Sequence, residues 1–179
     1  SADIVISCVS PQFNYNLSKS AIEAGASFCD LGSNEDVVRR QFLLDQMARD
    51  ANVAIIPDCG LAPGMVSILT AAACAELDEI TDIKIRVGGL PVEPSPPLNY
   101  AHTFSIDALI DEYFEDSTVI RNGKLLRVPS LNDLEQLEFQ APFGKMEAFL
   151  TAGGISTLPT TFGSKVKNLD FKTVRYPGH

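Results

Sequence analysis

Residues 2–9 form a near-continuous apolar run rich in β-branched residues. Such a run predicts a strand apolar on both faces, placed in the middle of a parallel sheet. A turn at Ser10-Pro11-Gln12-Phe13-Asn14 follows, and then a helix from Asn16 to Gly25 with Leu17, Ala21 and Ala24 on its inner side. Ser27 to Leu31 reads as a second strand, and Gly32-Ser33-Asn34 as a break able to cap a helix from Glu35 to Asp50. Val37, Leu44, Met47, Ala48 and Ala51 supply that helix with a buried stripe. Val53 to Pro57 is a third strand. The pattern is β-α-β-α-β, the grammar of a right-handed parallel sheet.

The stretch Asp58-Cys59-Gly60-Leu61-Ala62-Pro63-Gly64 carries this strand into a helix from Met65 to about Glu76, with Met65, Ile68, Leu69 and Ala72 at core spacing. Ligands of open α/β sheets bind outside the carboxyl ends of strands, so this loop is a candidate site. Pro63 fits the first helical turn, where a missing N–H costs nothing.

Beyond it the periodicity changes. Ile83, Ile85 and Val87 alternate with Asp82, Lys84 and Arg86, as in a half-exposed strand of an antiparallel sheet. Gly88 to Pro97 is an irregular Gly/Pro-rich loop, and Ser105 to Tyr113 a short helix capped by Ser105. Thr118–Arg121 and Lys124–Val128 flank Asn122-Gly123, a strong two-residue hairpin signal. Glu147–Leu150 and Asn168–Tyr176 are further strands, and 151–162 is loop with a short helix at most. The expected architecture is α/β: the C-terminal half of a Rossmann-type parallel sheet joined to an α+β domain with a mainly antiparallel sheet. The first domain is expected over residues 1–64, the helix 65–77 forms the junction, and the second domain covers 78–179.

A net charge of −9 over 179 residues and no Lys/Arg cluster argue against nucleic acid or an anionic membrane as partner. No apolar run reaches transmembrane length. Cys8, Cys29, Cys59 and Cys74 include no C-x-x-C pair, so neither a metal site nor a redox pair is expected. Small buried hydrophobes in a reducing, cytoplasmic setting fit them better. No G-x-G-x-x-G loop occurs, which predicts that the chain is part of a longer protein and by itself holds a dinucleotide poorly.

Five motifs occur in order: Asp3–Ser7 with Pro11 and Phe13; Asp58-x-Gly60-Leu61-x-Pro63-Gly64; Gly88-Gly89-Leu90-Pro91; Pro97-Leu98-x-Tyr100 with Phe104-Ser105; and Lys172 to His179. Together they resemble the saccharopine dehydrogenase family, and within it the lysine 6-dehydrogenase-like branch. The resemblance implies NAD or NADP as cofactor and hydride transfer from a carbon bearing an amine of an amino-acid substrate. It also implies that chain is missing at both ends.

On that resemblance, Ser10, Pro11, Asp30, Leu31, Gly32, Gly60 and Pro63 are the expected cofactor contacts. Asp30 has the alternative of capping the next helix. Asp58 is the candidate catalytic group, as base, amine anchor or helix cap. Gln12, Asp58, Gly89, Tyr100, Phe104 and Arg175 are the expected substrate contacts, Arg175 through a carboxylate. His102 and Thr103 are polar residues beside that wall, with His102 more simply a surface residue. Lys145 and Glu147 are weaker candidates, and His179 is expected to be disordered. Saccharopine-forming relatives carry an arginine in the helix after Phe-Ser, whereas Ile106 to Glu112 holds none, which points to a less acidic substrate such as lysine. The alternative functions are a non-catalytic binding module or an oligomerisation module, and a homodimer through the antiparallel sheet is expected.

Overall fold

The computed structural model describes residues 2–32, 34–102 and 104–179. The expected roles of Ser33 and Thr103 lie outside the described residues. The chain forms two compact units, one over 1–76 with 153–156 and one over 77–152 with 157–179. No helix is long and apolar enough to cross a membrane among the described residues.

The first unit holds a three-stranded parallel sheet in the order β1 (Ile4–Ser7), β2 (Ser27–Asp30), β3 (Ile55–Ile56). Helices α1 (Asn14–Glu23), α2 (Glu35–Phe42) and α3 (Asp45–Asp50) alternate with the strands, and α4 (Met65–Ala75) follows. Ile22, Leu44 and Ala48 form a core with Tyr15, Met47, Val53 and Ile55. The expected single helix 35–50 is broken at Leu43–Leu44, and Asn34 caps α2 by accepting the Val37 N–H.

Four expectations of burial fail here. Ile4 and Ile6 are 64% and 66% exposed, so β1 buries only one of its faces. In α1 the buried positions are Asn14, Ser18, Ala21 and Ile22, while Leu17 is exposed. A buried polar network claims that face, and apolar periodicity does not register it. In α4 only Val66 is buried, and Met65, Ile68 and Leu69 are exposed. Of the cysteines, Cys8 and Cys59 are exposed and Cys29 and Cys74 half-buried, all as free thiols.

The second unit is a six-stranded sheet built around β9 (Asn168–Arg175). Strand β4 (Asp82–Val87) pairs with β9 in parallel, from Asp82↔Asn168 to Val87↔Thr173. This corrects the antiparallel reading, because alternation reports a half-buried strand and not its direction. Antiparallel partners of β9 are β8 (Lys145–Leu150), along Lys172–Arg175, and β5 (Ser117–Arg121), at Leu169. Outer strands are β6 (Lys124–Val128), paired with β5, and β7 (Glu135–Glu138), paired with β8. The hairpin forms as read, with Asn122 and Gly123 at φ 51° and 74°. Helices α5 (Ile106–Phe114) and α6 (Leu158–Phe162) complete the unit, α5 with Ser105 as its cap.

Seven successive residues of β9, Leu169 to Arg175, are buried. The even positions put Asp170, Lys172 and Val174 on one face of the sheet, and the odd positions put Leu169, Phe171, Thr173 and Arg175 on the other. Buried charges need partners. On the even face Arg86 bonds Asp170 at 2.5 Å and Glu135 at 2.7 Å, and Lys172 pairs with Glu135 at 3.0 Å and Asp133 at 3.5 Å. Arg121 closes the cluster on Asp133 at 2.5 Å. Asp133 is held below its ordinary pKa first by the Arg121 hydrogen bond. Burial alone would raise Glu135, but bonds from Lys172 and Arg86 outweigh it and lower it.

Removing Arg86 strands Asp170 and half of the Glu135 interaction. Arg86→Met is expected to lower the urea-unfolding free energy by about 3 kcal/mol at pH 7. Carboxylates with lowered pKa stabilise the fold above their ordinary values and lose that contribution as pH falls through the folded values. The gap between wild type and Arg86→Met therefore narrows below pH ~4, measured by urea titrations at stepped pH.

Candidate functional site

In the first unit the sequence-selected residues gather at the carboxyl ends of the strands. Asp30 is fully buried at the end of β2. Its carboxylate accepts the Gly32 N–H at 2.7 Å and the Gln41 side-chain amide at 2.7 Å, and its carbonyl accepts the Cys59 N–H at 2.7 Å. Gln41 also donates to Ser18 at 2.8 Å, Ser18 to the Asn14 carbonyl at 2.6 Å, and Ser7 to the Asn14 side chain at 2.6 Å. Asp30 thus ties β2 to α2 and to the Asp58 loop. Its carboxylate does not cap the following helix, a role that Asn34 takes.

Asp58 has φ +61° and lies directly over Gly32, where a side-chain carbon would collide with the Asp58 carboxylate. Gly32 is itself at φ +73°, so only glycine fits. Within the loop a carbon on Gly60 would come within 2.6 Å of the Leu31 carbonyl. These close approaches fix where Asp58 sits. Pro63 is buried but precedes Gly64, the N-cap of α4, so it stands outside the helix rather than in its first turn. Ser10 caps the one-turn helix Pro11–Phe13 by position but makes no side-chain cap bond, and Leu31 is 48% exposed. Gln12 is exposed in the same turn. The Cys59 thiol is pushed up by partial burial and then by Cys29, Asp30 and Asp58, which makes it a poor nucleophile.

In the second unit the odd face of β9 carries a different cluster. Arg175 is 3% exposed. Its guanidinium lies 4.6 Å from the Tyr100 ring centre, its Nη1 donates to the Val174 carbonyl at 3.1 Å, and its Nε donates to the Tyr113 hydroxyl at 3.3 Å. The Tyr113 hydroxyl is 2.8 Å from His179 Nε2, and His179 Nδ1 is 3.1 Å from the Leu98 carbonyl. A carbonyl only accepts, so Nδ1 carries the hydrogen and Nε2 accepts from Tyr113. The donor chain therefore runs from Arg175 through Tyr113 to His179, and His179 in turn holds Leu98.

Phe149 stacks on His179 at 6.0 Å, and Tyr100 meets it edge-on at 5.4 Å. Burial, then Arg175, lowers the His179 pKa and keeps the ring neutral, although the Leu98 bond works the other way. Burial pushes the Tyr113 hydroxyl up, so it keeps its proton. Burial also pushes the Glu112 carboxyl up to about 7, with Arg175 pulling it down.

Of the residues named from sequence, Arg175 and Tyr100 come together here. Phe104 stacks on His102 at 6.3 Å. Gly89 is exposed in the loop after β4, outside the cluster. The neighbouring Gly88 lines a cavity of ≈ 170 Å³ with Arg86, Leu90, Phe139, Phe143, Met146 and Val174 on the even face. The cation of that lining, Arg86, is paired with Asp170 and Glu135. Lys145 is exposed, and Glu147 accepts the Gly178 N–H at 3.0 Å, a bond that braces the turn before His179. His179, expected to be disordered, is bonded at both ring nitrogens. Glu112 and Tyr113 were not selected from the sequence. Their signal was available, since Leu109 and Tyr113 share the inward side of α5 with Ala108 and Glu112.

Comparison with known structures supports the fold. The L-Glu-forming saccharopine dehydrogenase of Saccharomyces cerevisiae aligns with a TM-score of 0.75 at 20% identity, over 98% of this chain and 41% of that one. This chain thus spans less than half the length of that enzyme. An oxidoreductase of Bacillus cereus (TM-score 0.37, 14% identity, 98% of this chain and 50% of that one) matches too loosely to argue from. The same holds for biliverdin reductase of Synechocystis sp. PCC 6803 in complex with biliverdin and NADP+ (TM-score 0.39, 12% identity, 99% and 54%). The family model described as saccharopine dehydrogenase C-terminal domain matches residues 60–179, from the glycine beside Asp58 through the Arg175 and His179 cluster, and over that span the chain belongs to the saccharopine dehydrogenase family.

Proposed function

We infer that the full protein is a nicotinamide-dependent oxidoreductase acting on a CH–NH group of an amino acid, with lysine as the favoured substrate. The observation that carries this reading is Arg175. It is buried against an aromatic ring, and no carboxylate pairs with it at ion-pair distance among the described residues. A buried cation without an anion is costly, and a planar guanidinium matches a carboxylate in bidentate fashion. Family membership supports oxidoreductase chemistry at such a site. Ile106 to Glu112 offers no second arginine for a more acidic substrate.

The first unit fits the nicotinamide end of NAD or NADP. Ser10 has a hydroxyl that no helix cap consumes, Leu31 offers an exposed apolar surface, and the close approaches at Gly32 and Gly60 hold the loop in place at the strand ends. A nicotinamide held there would supply the hydride acceptor. Pro11, Asp30 and Pro63 hold the strand ends in shape around it. Asp58, fixed by Gly32, takes the role of anchoring or deprotonating the reacting amine. In the second unit Arg175 holds the substrate carboxylate, Tyr113 and His179 fix the guanidinium, and Tyr100 supplies the wall. Gln12, Gly89 and Phe104 complete the proposed substrate contacts.

The direct test is reduction of NAD or NADP by the full protein with lysine, followed by absorbance. No turnover with lysine or other amino acids overturns the reading. Arg175→Ala is expected to raise KM by about 30- to 150-fold, the loss of about 2–3 kcal/mol for a charged hydrogen-bonded pair. An unchanged KM removes Arg175 from the site.

His179 gives a pH signature. A neutral ring with a lowered pKa supports the cluster above the ordinary histidine range and loses that support as pH falls through the folded value. KM is therefore expected to climb as pH falls below about 6.5, and the climb is absent in His179→Gln. Strand β6, at the edge of its sheet, exposes Leu125 and Leu126, which supports pairing of two chains along that edge. Light scattering of the full protein should give a dimer that Leu125→Lys dissociates.

A further inference from the structure

Helix α2 buries Val37, Val38 and Gln41. Gln41 stands one turn after Val37, where the stripe calls for a hydrophobe, yet it is an amide at 2% exposure. Both hydrogens of that amide are used: Nε2 donates to Ser18 Oγ at 2.8 Å and to Asp30 Oδ2 at 2.7 Å. Its oxygen has no hydrogen-bond partner among the described residues. Turning the amide over would set that oxygen against a carboxylate oxygen, acceptor on acceptor, so the orientation is fixed. A buried oxygen left unpaired is costly. The residue is held there for its nitrogen.

That nitrogen aims Asp30. Among the described residues this buried carboxylate is held by N–H donors alone: Gln41 on Oδ2, and on Oδ1 the Gly32 N–H at 2.7 Å with the Asp58 N–H at 3.4 Å. The Asp30 carbonyl takes the Cys59 N–H at 2.7 Å. With Oδ2 tied to Gln41, the carboxylate is kept from turning, and Oδ1 sets the spacing between Gly32 and Asp58. That spacing has no slack. Asp58 is at φ +61°, and a side-chain carbon on Gly32 would overlap its carboxylate. A rotation of Asp30 is therefore passed on to Asp58 rather than absorbed.

We propose that Gln41 is a positioning residue, which through Asp30 sets where the Asp58 carboxylate meets the reacting amine. This rests on the proposed function and deepens it. Asp58 touches the amine, and Gln41 acts only through Asp30 and the two loops that Asp30 holds.

The test uses the full protein and two readouts. The first is hydrogen exchange without cofactor. Gln41→Met keeps the side-chain volume and removes the donor, and exchange at the Gly32 and Asp58 amides is expected to quicken about tenfold. The second is lysine turnover. Gln41→Met is expected to lower kcat about tenfold and to leave KM within about twofold, since Arg175 still holds the substrate carboxylate. In an Asp58→Asn background the same substitution lowers kcat no further, because its effect runs through Asp58.

A donor exchange supplies the rescue. Gln41→Glu alone sets two carboxylates against each other. Adding Asp30→Asn lets residue 30 donate to residue 41, while its oxygen still accepts from Gly32, and kcat is expected to recover. Unchanged amide exchange and kcat in Gln41→Met overturn this inference alone. So do equal losses of kcat with and without Asp58→Asn, the mark of a merely structural role. If Gln41→Met does not fold, the exchange pair decides: recovery supports the inference, and a kcat no better than that of Gln41→Glu overturns it. Failure of wild type to oxidise any amino acid overturns the proposed function, and this inference with it.

Discussion

The second unit is organised by the burial of charge along a single strand. Strand β9 places Asp170, Lys172 and Arg175 inside the sheet, where each would be prohibitive alone. The two faces meet this requirement differently. On the even face three cations and three carboxylates close into one cluster that spans β4, β5, β9 and β7 with the residues leading into it. On the odd face Arg175 is given a hydroxyl, a carbonyl and an aromatic ring, and no ion pair among the described residues. Neutralisation of the first builds the sheet. The open valence of the second is what recommends it as a site.

The first unit follows a related rule with neutral partners. Asp30 is buried at the junction of β2, α2 and the loop after β3, and its bonds decide where Asp58 is presented. The chain of side chains from Gln41 to Ser18 and Asn14 explains why polar residues occupy the inner face of α1. An amide and a hydroxyl inside a helix packing face look like errors of pattern until the buried network they join is located.

Much of this was legible in the sequence. The β-α-β-α-β order, the Asn122-Gly123 hairpin and the Ser105 cap follow from local physics, because turn residues and strand alternation act over a few residues. Direction of pairing does not, which is why β4 was read as antiparallel. Strand β7, Glu-Gln-Leu-Glu, was missed because its apolar content is one leucine, and its Glu135 earns a place through partners far along the chain. Arg175 and Tyr100 were named in advance, whereas Tyr113 was passed over. Its importance depends on α5 lying against β9, a tertiary fact that a nine-residue helix does not announce.

The alternation of β9 has a consequence for how this protein can vary. Because adjacent residues serve opposite sides of one layer, neighbouring positions answer to separate demands. Substitution at 170, 172 or 174 is judged by whether the sheet still assembles, and substitution at 173 or 175 by what the sheet presents. A lineage can therefore revise its ligand without renegotiating its architecture, one residue away and on the other side of the backbone. A saturation scan along this strand would read as two interleaved records.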